Sequence, residues 1–250
     1  MMKKLVAPPL VVGALWQLAH VAADHPALPS PLAVMGRLAA AMWADGAPGP
    51  LFMHAAASLW RVGVAVVLAT ITALAVGLPM GRTRVGKALI RPLVNFFFPL
   101  PKIALLPLII IALGLGEASQ IVLVWLVIVF YCTTSLADAA ASISPEYYQP
   151  LLVQGRSPWA LLRHVTLPAV IPELLSAVKT SAATALAVLF MAENQGSRSG
   201  LGLAVMNAWT MVDYPGMYAA IVTLGLVGAL LLGVIDLIGR RACPWAPRYR

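Results

Sequence analysis

Two lysines interrupt otherwise apolar stretches of this sequence, and they are its most unusual residues chemically. Lys102 lies within the apolar stretch 92–116, and Lys179 lies within the stretch 174–192. A lysine near the middle of a helix in lipid costs about 2.5–3.5 kcal/mol on insertion scales, so such a group usually faces a cavity or a partner charge. Each lysine could attract an anion there, or it could extend its ammonium group to the nearer membrane surface. The sequence leaves both interpretations open.

Hydroxyl and amide side chains accompany these lysines. Ser176, Thr180 and Thr184 share a helix with Lys179, and their spacing partly places them on one helical face. They line a polar path or pack against a neighbouring helix. Hydroxyls in membrane helices bond to their own backbone more often than to a ligand, so each is weak support alone. The remaining candidates of this kind are Asn95, Thr133 and Thr134.

Motifs for catalysis and nucleotide binding are missing from the sequence. It has no G-x-x-x-x-G-K-[ST] phosphate loop, no H-E-x-x-H and no nucleophile elbow. The 4 histidines lack metal-ligand spacing, and the 2 cysteines, Cys132 and Cys243, do not indicate a disulfide framework. We therefore predict that the chain is not an enzyme and binds no metal or cofactor. Any work driven by ATP would need a separate subunit that binds ATP and its magnesium ion.

The composition identifies the solvent around these residues. Of 250 residues, 61% are hydrophobic and only 10% are charged, and the mean hydropathy is +0.88. Soluble domains carry about 45–50% apolar and about 25% charged residues. With so few charged residues, the protein surface would be too apolar for a water-soluble globule, so the composition indicates a lipid membrane. The net charge of +8 comes without a stripe of mixed aromatic and basic residues, so we predict no nucleic-acid partner.

Six apolar segments are long enough to cross a hydrocarbon core of about 30 Å, which takes about 20 helical residues. The predicted fold is all-α, with one transmembrane domain comprising residues 1–250. We place the spans at about 5–23, 62–81, 97–116, 118–138, 170–192 and 214–238. Pro99, Pro101 and Pro107 should kink the third span. The first segment could instead be a cleaved signal peptide. Ser30-Pro31 and the apolar residues after it predict a short amphipathic helix at the outer interface.

The distribution of charge orients the spans. With the N-terminus inside, most of the 17 lysines and arginines fall in inner loops, which is the excess that marks the cytoplasm. Several acidic residues fall on or near the outer side instead. The basic residues placed inside include Lys3, Lys4, Arg248 and Arg250, and Asp45 is placed outside. We therefore predict that both termini are cytoplasmic.

The segment 139–168, between the fourth and fifth spans, is the longest predicted cytoplasmic segment. Prolines from Pro145 to Pro172 should break it into short helices. Gly155 can end one helix in the left-handed conformation, Ser157 can cap the next helix, and Pro158 fits its first turn. A pair of amphipathic helices on this face forms a docking surface for a partner.

This segment resembles the coupling motif of permease subunits in binding-protein-dependent ABC importers. The resemblance rests on Gly155-Arg156-Ser157-Pro158 followed by Leu167-Pro168, with a spacing similar to the branch for aliphatic sulfonates, taurine and nitrate. Three other stretches resemble the same branch: HAAASLWR at 54–61, PLPKIALLPLIIIALGLGEASQIVLV at 99–124, and MAENQGSRSGLGLAVMNA at 191–208. One position departs from the family, because Gln149 stands where an acidic residue is usual.

The resemblance implies a type I ABC importer permease fold in a bacterial inner membrane. The expected assembly is a homodimer with two cytoplasmic ATP-binding subunits, which dock on the segment from Gln149 to Pro168, and a periplasmic substrate-binding protein. The expected cargo is a small anion or organic anion such as a sulfonate, taurine or nitrate. Glu193, which ends the fifth span, is then a gate or a receptor contact, or else a capped or solvated carboxylate.

A secondary transporter or channel that works alone is the alternative function. Such proteins tend to carry internal repeats and paired acids within the membrane. The two halves of this sequence share no clear repeat, and its acidic residues lie near the ends of spans. A membrane-embedded enzyme would need a nucleophile or a metal cluster, which the sequence lacks. The permease is therefore the predicted function.

Overall fold

The computed structural model describes residues 2–44 and 46–246, with side chains from residue 11 onward. Asp45, Arg248 and Arg250 lie outside the described residues, as do the side chains of Lys3 and Lys4. The described chain is mostly helical, as predicted. Its helices are α1 (Met2–Ala23), α2 (Pro31–Met42), α3 (Pro50–Arg82), α4 (Arg91–Phe97), α5 (Leu106–Leu113), α6 (Glu117–Ala141), α7 (Gln149–Val153), α8 (Pro158–Leu161), α9 (Leu167–Glu193), α10 (Leu201–Thr210) and α11 (Tyr214–Ala242). Two short strands, β1 (Trp43–Ala44) and β2 (Ala47–Pro48), pair antiparallel between α2 and α3.

Four helical runs in the described chain are long and apolar enough to cross a membrane. They are Pro50–Arg82, Glu117–Ala141, Pro158–Glu193 and Tyr214–Ala242. A fifth crossing is possible if Gly86–Phe97 and Lys102–Leu113 form one bent span. The predicted first span lies within α1, whose part with described side chains, Val11–Ala23, is shorter than a span. The count of six spans therefore stays a prediction.

The predicted third span, 97–116, differs from a single kinked helix. Helical structure begins at Gly86, ends at Phe97 and resumes with a 3-10 turn at Lys102, and the two parts are bent by 87°. Pro99 and Pro101 lie in the break, where a missing N–H and a fixed φ prevent the helix from continuing. The prolines therefore break the helix rather than bend it.

Two prolines follow π-helical turns, which let the helix continue past them. The turn Gly86–Ile90 precedes Pro92, and the turn Leu162–Thr166 precedes Pro168. The first residue after each turn donates its N–H to the carbonyl five residues earlier. Proline crowds the carbonyl four residues before it, and the wider turn relieves that contact. The helix is therefore continuous over Pro158–Glu193, and the prediction that the prolines break this region into short helices was wrong at Pro168 and Pro172.

Helices α3 and α6 approach to backbone contact in the core. A Cβ atom on Gly81 would lie 2.3 Å from the carbonyl oxygen of Ala137, and one on Gly77 would lie 3.0 Å from that of Thr133. Small residues allow such close packing between membrane helices. Helix α9 packs against both α6 and α3, and these three helices form the main hydrophobic core together with Leu231 and Ile235 of α11.

The predicted amphipathic helix after Ser30-Pro31 is present as α2. The Ser30 hydroxyl accepts a hydrogen bond from the Ala33 N–H at 3.2 Å, and Pro31 occupies the first turn. Val34 of α2 is fully buried in a cluster with α10 and α11. On the exposed side, the Arg37 guanidinium lies 2.9 Å from the Asp213 carboxylate at the start of α11.

Candidate functional site

The predicted coupling segment, residues 139–168, has around Gly155 and Ser157 the local geometry that its sequence predicts. Gly155 has a φ of +65°, which side chains rarely adopt, and it follows the short helix α7. The Ser157 hydroxyl accepts a hydrogen bond from the Ala160 N–H at 3.4 Å, with Pro158 in the first turn of α8. The predicted docking residues Gln149, Gly155, Arg156, Ser157 and Pro158 are all exposed, whereas Leu167 and Pro168 are partly buried in α9.

A buried tyrosine fixes the coupling segment to the bundle. Tyr148 is 5% exposed, and its hydroxyl lies 3.1 Å from the hydroxyl of Thr166 in the second π-helical turn. The Arg82 guanidinium, at the end of α3, lies 4.3 Å from the centre of the Tyr148 ring. Our sequence analysis did not identify Tyr148, because its partners lie far away along the chain. The segment is therefore anchored to both α3 and the run that continues into α9.

An open cavity of about 1020 Å³ lies beside this anchor. Asp138, His164 and Glu173 contribute its titratable lining groups, and the Trp245 ring closes one side. The Trp245 indole N–H donates to the carbonyl of Pro168 at 3.3 Å. Asp138 also pairs with Arg91 at 2.6 Å, although 67% of its side chain remains exposed. This end of the bundle thus has an open cavity with polar groups, and its Arg91–Asp138 pair is exposed to solvent.

Lys102 caps the C-terminal end of α4, where the predicted third span is broken. Its ammonium group donates to the carbonyl oxygens of Phe97, at 3.2 Å, and of Phe98. It also lies 5.4 Å from the centre of the Phe98 ring and 5.0 Å from that of Phe130. The last carbonyls of a helix lack partners within the helix and carry partial negative charge, which a cation stabilises. Lys102 therefore has a structural task that neither sequence interpretation included.

Lys102 also lines a cavity of about 360 Å³, called here the Lys102 cavity. Thr180 and Thr184 of α9 and Tyr131 of α6 contribute hydroxyl-bearing residues to its lining. The Thr180 hydroxyl donates to the carbonyl of Ser176 at 3.0 Å. Of the predicted pathway residues, the structure thus brings Lys102 and Thr180 together in one cavity.

Lys179 does not line this cavity. Its ammonium group lies 2.6 and 2.7 Å from the two carboxylate oxygens of Asp236 in α11. The two side chains are 41% and 37% exposed. Asp236 lies near the end of the predicted span 214–238, but the sequence did not indicate that it faces Lys179. The pair ties α9 to α11, and the charge of Lys179, for which attraction of an anion was one of the two interpretations, is matched within the chain.

The other predicted polar residues of the third and fourth spans lie away from the Lys102 cavity. Asn95 is exposed on α4. Thr133 is 3% exposed and packs where α6 meets α3. The Thr134 hydroxyl donates to the carbonyls of Phe130 and Tyr131, each at 3.0 Å. The Thr134 hydroxyl thus satisfies backbone groups, as is common in membrane helices.

Glu193 lies at the centre of a buried charge cluster at the opposite end of the bundle. Glu193 and Arg61 are 0% and 2% exposed. One Glu193 oxygen accepts from the Arg61 guanidinium at 2.8 Å and from the Ser58 hydroxyl at 2.7 Å. The same guanidinium donates to the carbonyl of Ser199 at 2.7 Å and contacts Glu117 at 3.5 Å. The cluster joins α3, α6 and α9 to the turn after α9.

This cluster also fixes the start of α10. The second Glu193 oxygen accepts from the Gly202 N–H at 2.9 Å, and the Ser58 hydroxyl accepts from the Leu201 N–H at 2.9 Å. Gly200 has a φ of +132°, and a Cβ atom there would lie 2.3 Å from the Glu193 carboxyl carbon. Because Glu193 is enclosed, it holds this turn in the conformation seen here. Its role as a gate or receptor contact stays a prediction.

The fold is that of a type I ABC permease. Two crystal forms described as inward-facing conformations of the MetNI methionine ABC transporter align with this chain. One gives a TM-score of 0.61 at 19% sequence identity and covers 78% of this chain and 95% of that chain. The other gives a TM-score of 0.56 at 20% identity and covers 74% and 93%.

The chain belongs to a family described as the binding-protein-dependent transport system inner membrane component, whose model matches residues 65–242. It is 28% identical over 219 residues to the taurine transport system permease protein TauC of Escherichia coli, covering 87% of this chain and 80% of that protein. It is 29% identical over 249 residues to the putative aliphatic sulfonates transport permease protein SsuC of Escherichia coli, covering 98% and 93%. It is also 29% identical over 232 residues to the riboflavin transport system permease protein RibX of Chloroflexus aurantiacus, covering 92% and 85%.

These findings confirm the resemblance on which the sequence analysis relied. The chain is a membrane-spanning permease subunit of a binding-protein-dependent ABC importer. The family places it in an inner membrane and implies ATPase and substrate-binding partners.

Proposed function

We propose that this permease imports a small organic anion of the sulfonate class. It acts as a homodimer with both termini in the cytoplasm, and it does not hydrolyse ATP itself. Two separate subunits bind ATP and its magnesium ion, and a periplasmic binding protein delivers the cargo. Similarity to TauC and SsuC over most of the chain supports the cargo class.

One observation carries the proposed mechanism. The helical run Pro158–Glu193 begins at the exposed turn of the coupling segment and continues without interruption to Thr180 and Thr184, which line the Lys102 cavity. A displacement at Pro158 is therefore transmitted to the wall of the cavity by one continuous helix. Closure of the ATPase subunits on the coupling segment would then change access to the cavity.

The docking surface for the ATPase subunits consists of the exposed residues around the turn at Gly155. Ser157 fixes the direction in which α8 leaves this turn, and Tyr148 keeps the turn attached to the bundle. The complete docking set is Gln149, Gly155, Arg156, Ser157, Pro158, Leu167 and Pro168. Gln149 supplies a neutral amide where the resemblance leads us to expect a carboxylate, so the contact at this position does not depend on charge.

The pathway runs past Lys102 and Thr180. Thr184 and Tyr131 extend its polar lining along the same cavity. The other predicted pathway residues support the surrounding helices. Among these, the backbone carbonyl of Ser176 accepts a hydrogen bond from the Thr180 hydroxyl. Lys179 pairs with Asp236, and Thr133 packs against α3.

Uptake by proteoliposomes tests the function. The permease is reconstituted with the ATPase subunits and the binding protein encoded with it, and uptake of radiolabelled taurine, an alkanesulfonate, nitrate and riboflavin is measured. We expect uptake of a sulfonate only when ATP and all components are present. Uptake by the permease alone would contradict the mechanism, and transport of riboflavin or nitrate without any sulfonate would contradict the cargo.

A matched pair of double variants tests the docking surface. Gly155→Glu with Ser157→Glu changes the exposed turn of the coupling segment. Gly46→Glu with Ser30→Glu changes a glycine of φ +78° and a helix-capping serine at the other end of the bundle. We expect the first variant to lose the ATPase subunits during copurification and the control to retain them. Retention by both variants would contradict the assignment of the docking surface.

A further inference from the structure

Lys102 carries a charge that no carboxylate balances. Among the residues that the structure describes, no acidic side chain lies within 4.0 Å of its ammonium group. Its protein contacts are the carbonyl oxygens of Phe97 and Phe98 and the rings of Phe98 and Phe130. These groups orient the ammonium and partly stabilise it, but they leave one full positive charge in place.

The ammonium group also keeps hydrogen-bonding capacity. A lysine has three N–H donors, and two of them are directed to the carbonyls of Phe97 and Phe98. Lys179 is the natural comparison, because its charge is fully matched by the two oxygens of Asp236. Of the two membrane lysines, therefore, only Lys102 can act on a further anion without breaking an ion pair.

Two hydroxyl groups of the same cavity are also without a hydrogen-bond partner in the described part of the chain. In the described part of the chain, the hydroxyls of Tyr131 and Thr184 make no hydrogen bond to protein. The Thr180 hydroxyl, by contrast, donates a hydrogen bond to the carbonyl of Ser176. The Lys102 cavity thus offers three donors, one of them charged, beside backbone groups that are already satisfied.

Apart from Ser181, whose hydroxyl donates to the carbonyl of Ala177, the rest of the lining is apolar. Ile103, Val127 and Val188 contribute aliphatic side chains to the cavity. A volume of about 360 Å³ falls at the small end of the range for ligand sites, about 300–1,000 Å³. The cavity therefore suits a ligand with a compact anionic head and a short aliphatic body.

We propose that the Lys102 cavity is an intramembrane binding site for the sulfonate group of the cargo. The three sulfonate oxygens accept hydrogen bonds from Lys102, Tyr131 and Thr184, and the alkyl part lies against the aliphatic side chains. A carboxylate presents its acceptor sites in one plane, whereas the three sulfonate oxygens point in three directions, so we expect a carboxylate to match these donors less well and to bind more weakly. This inference rests on the proposed function, but it concerns a site in the permease rather than in the binding protein.

Direct binding tests the site. Ethanesulfonate and propionate are titrated into the purified complex of permease and ATPase subunits, without the binding protein or ATP, and binding is followed calorimetrically. We expect ethanesulfonate to bind more tightly than propionate. Lys102→Met should weaken ethanesulfonate binding by about 10-fold or more, because a charged hydrogen bond is lost. Lys87→Met is the matched control at an exposed lysine and should bind like the unchanged complex.

A second variant avoids the helix end that Lys102 caps. Tyr131→Phe with Thr184→Val removes two hydroxyls that bond to no described group, so we expect the fold to persist and ethanesulfonate binding to weaken by at least several-fold. The control is Thr72→Val on α3, whose hydroxyl donates to the carbonyl of Leu68. Unchanged binding in this double variant, or equal binding of ethanesulfonate and propionate, would overturn the proposal.

The two proposals fail in different ways. If ATP-driven sulfonate uptake persists in Lys102→Met and in the hydroxyl double variant, the importer stands and the site is wrong. If the unchanged complex binds ethanesulfonate in a manner that depends on Lys102 but imports no sulfonate, the site stands and the proposed cargo is wrong.

Discussion

The two ends of the bundle hold their charges in opposite ways. At one end, the Arg61–Glu193 pair is 2% and 1% exposed and is surrounded by further hydrogen bonds. At the coupling end, the Arg91–Asp138 pair is 36% and 67% exposed and borders an open cavity. Exposed pairs contribute about 0–1 kcal/mol, whereas removing one partner of a buried pair costs about 3–5 kcal/mol.

This difference indicates where the bundle can rearrange. Separating α3 from α9 at the Arg61–Glu193 end would break a buried ion pair and the buried hydrogen bond between Ser58 and Glu193. Separating α4 from α6 at the coupling end would transfer Arg91 and Asp138 to water, which solvates both. We therefore expect conformational change to be concentrated at the coupling end, and the following variants test that comparison.

The largest effect is expected from Arg61→Met. The substitution leaves the Glu193 carboxylate buried without its cation, so we expect a loss of about 3–5 kcal/mol of unfolding free energy. Arg91→Met removes the corresponding arginine at the coupling end and should cost at most about 1 kcal/mol. Thermal unfolding of both variants in detergent measures the difference. Equal melting temperatures of Arg61→Met and Arg91→Met would contradict the difference in strength between the buried and the exposed ion pair.

Gly200→Ala should have the next largest effect. The new Cβ atom would lie 2.3 Å from the Glu193 carboxyl carbon, at a φ of +132°. Steric overlap and backbone strain together should cost about 2–4 kcal/mol. Gly46→Ala separates the two causes, because Gly46 has a φ of +78° with open space around it. We expect its cost to be about 1–2 kcal/mol, from strain alone. If both variants melt at the same temperature, close packing against Glu193 does not contribute to the loss of stability in Gly200→Ala.

At the coupling end, Tyr148→Phe should have a smaller and more local effect. Loss of the hydroxyl removes the hydrogen bond to Thr166 and should cost about 1 kcal/mol. We expect faster hydrogen exchange in residues 145–153, with exchange near Glu193 unchanged. Tyr147→Phe is the control, because Tyr147 is 69% exposed. An increase in exchange that spread over the whole bundle would contradict the independence of the two ends.

The smallest effect is expected at Asp213, which caps α11. The Gly216 N–H, and then the Arg37 guanidinium, hold the pKa of the Asp213 carboxyl below its ordinary value. A lowered pKa in the folded state stabilises the protein above the unfolded pKa of about 3.9, and this stability is lost as the pH falls through the folded pKa. Asp213→Asn should therefore flatten the acid limb of a plot of melting temperature against pH below about pH 4. An unchanged acid limb would contradict a contribution from this carboxylate.

Local features of the structure were predictable from the sequence. The turn at Gly155, the Ser157 cap and the helix after Ser30-Pro31 each depend on residues within a few positions of one another. Helix capping is encoded at that range, because the side chain bonds to a backbone group two or three residues away. The family resemblance was visible for a related reason, since its motifs are contiguous.

Contacts between distant residues were not predictable in the same way. Neither the Arg61–Glu193 pair nor the Lys179–Asp236 pair follows from spacing, because each joins helices whose relative rotation the sequence does not specify. The same limit applied to Lys102, whose partners are backbone carbonyls freed by a break that we predicted only as a kink. The sequence therefore identified Lys102 and Thr180, which line the same cavity, but it did not identify Tyr131 or the contacts of Lys102 with Phe97, Phe98 and Phe130.

The near-contact of two backbones at Gly77 and Gly81 has a mechanical consequence. The backbones of α3 and α6 approach closely at these positions, so there is little room in which the two helices could slide past each other. We therefore expect α3 and α6 to move as one rigid body throughout the transport cycle. Spin labels placed on these two helices should report the same separation in every state. The displacement of other helices can then be measured relative to this fixed pair.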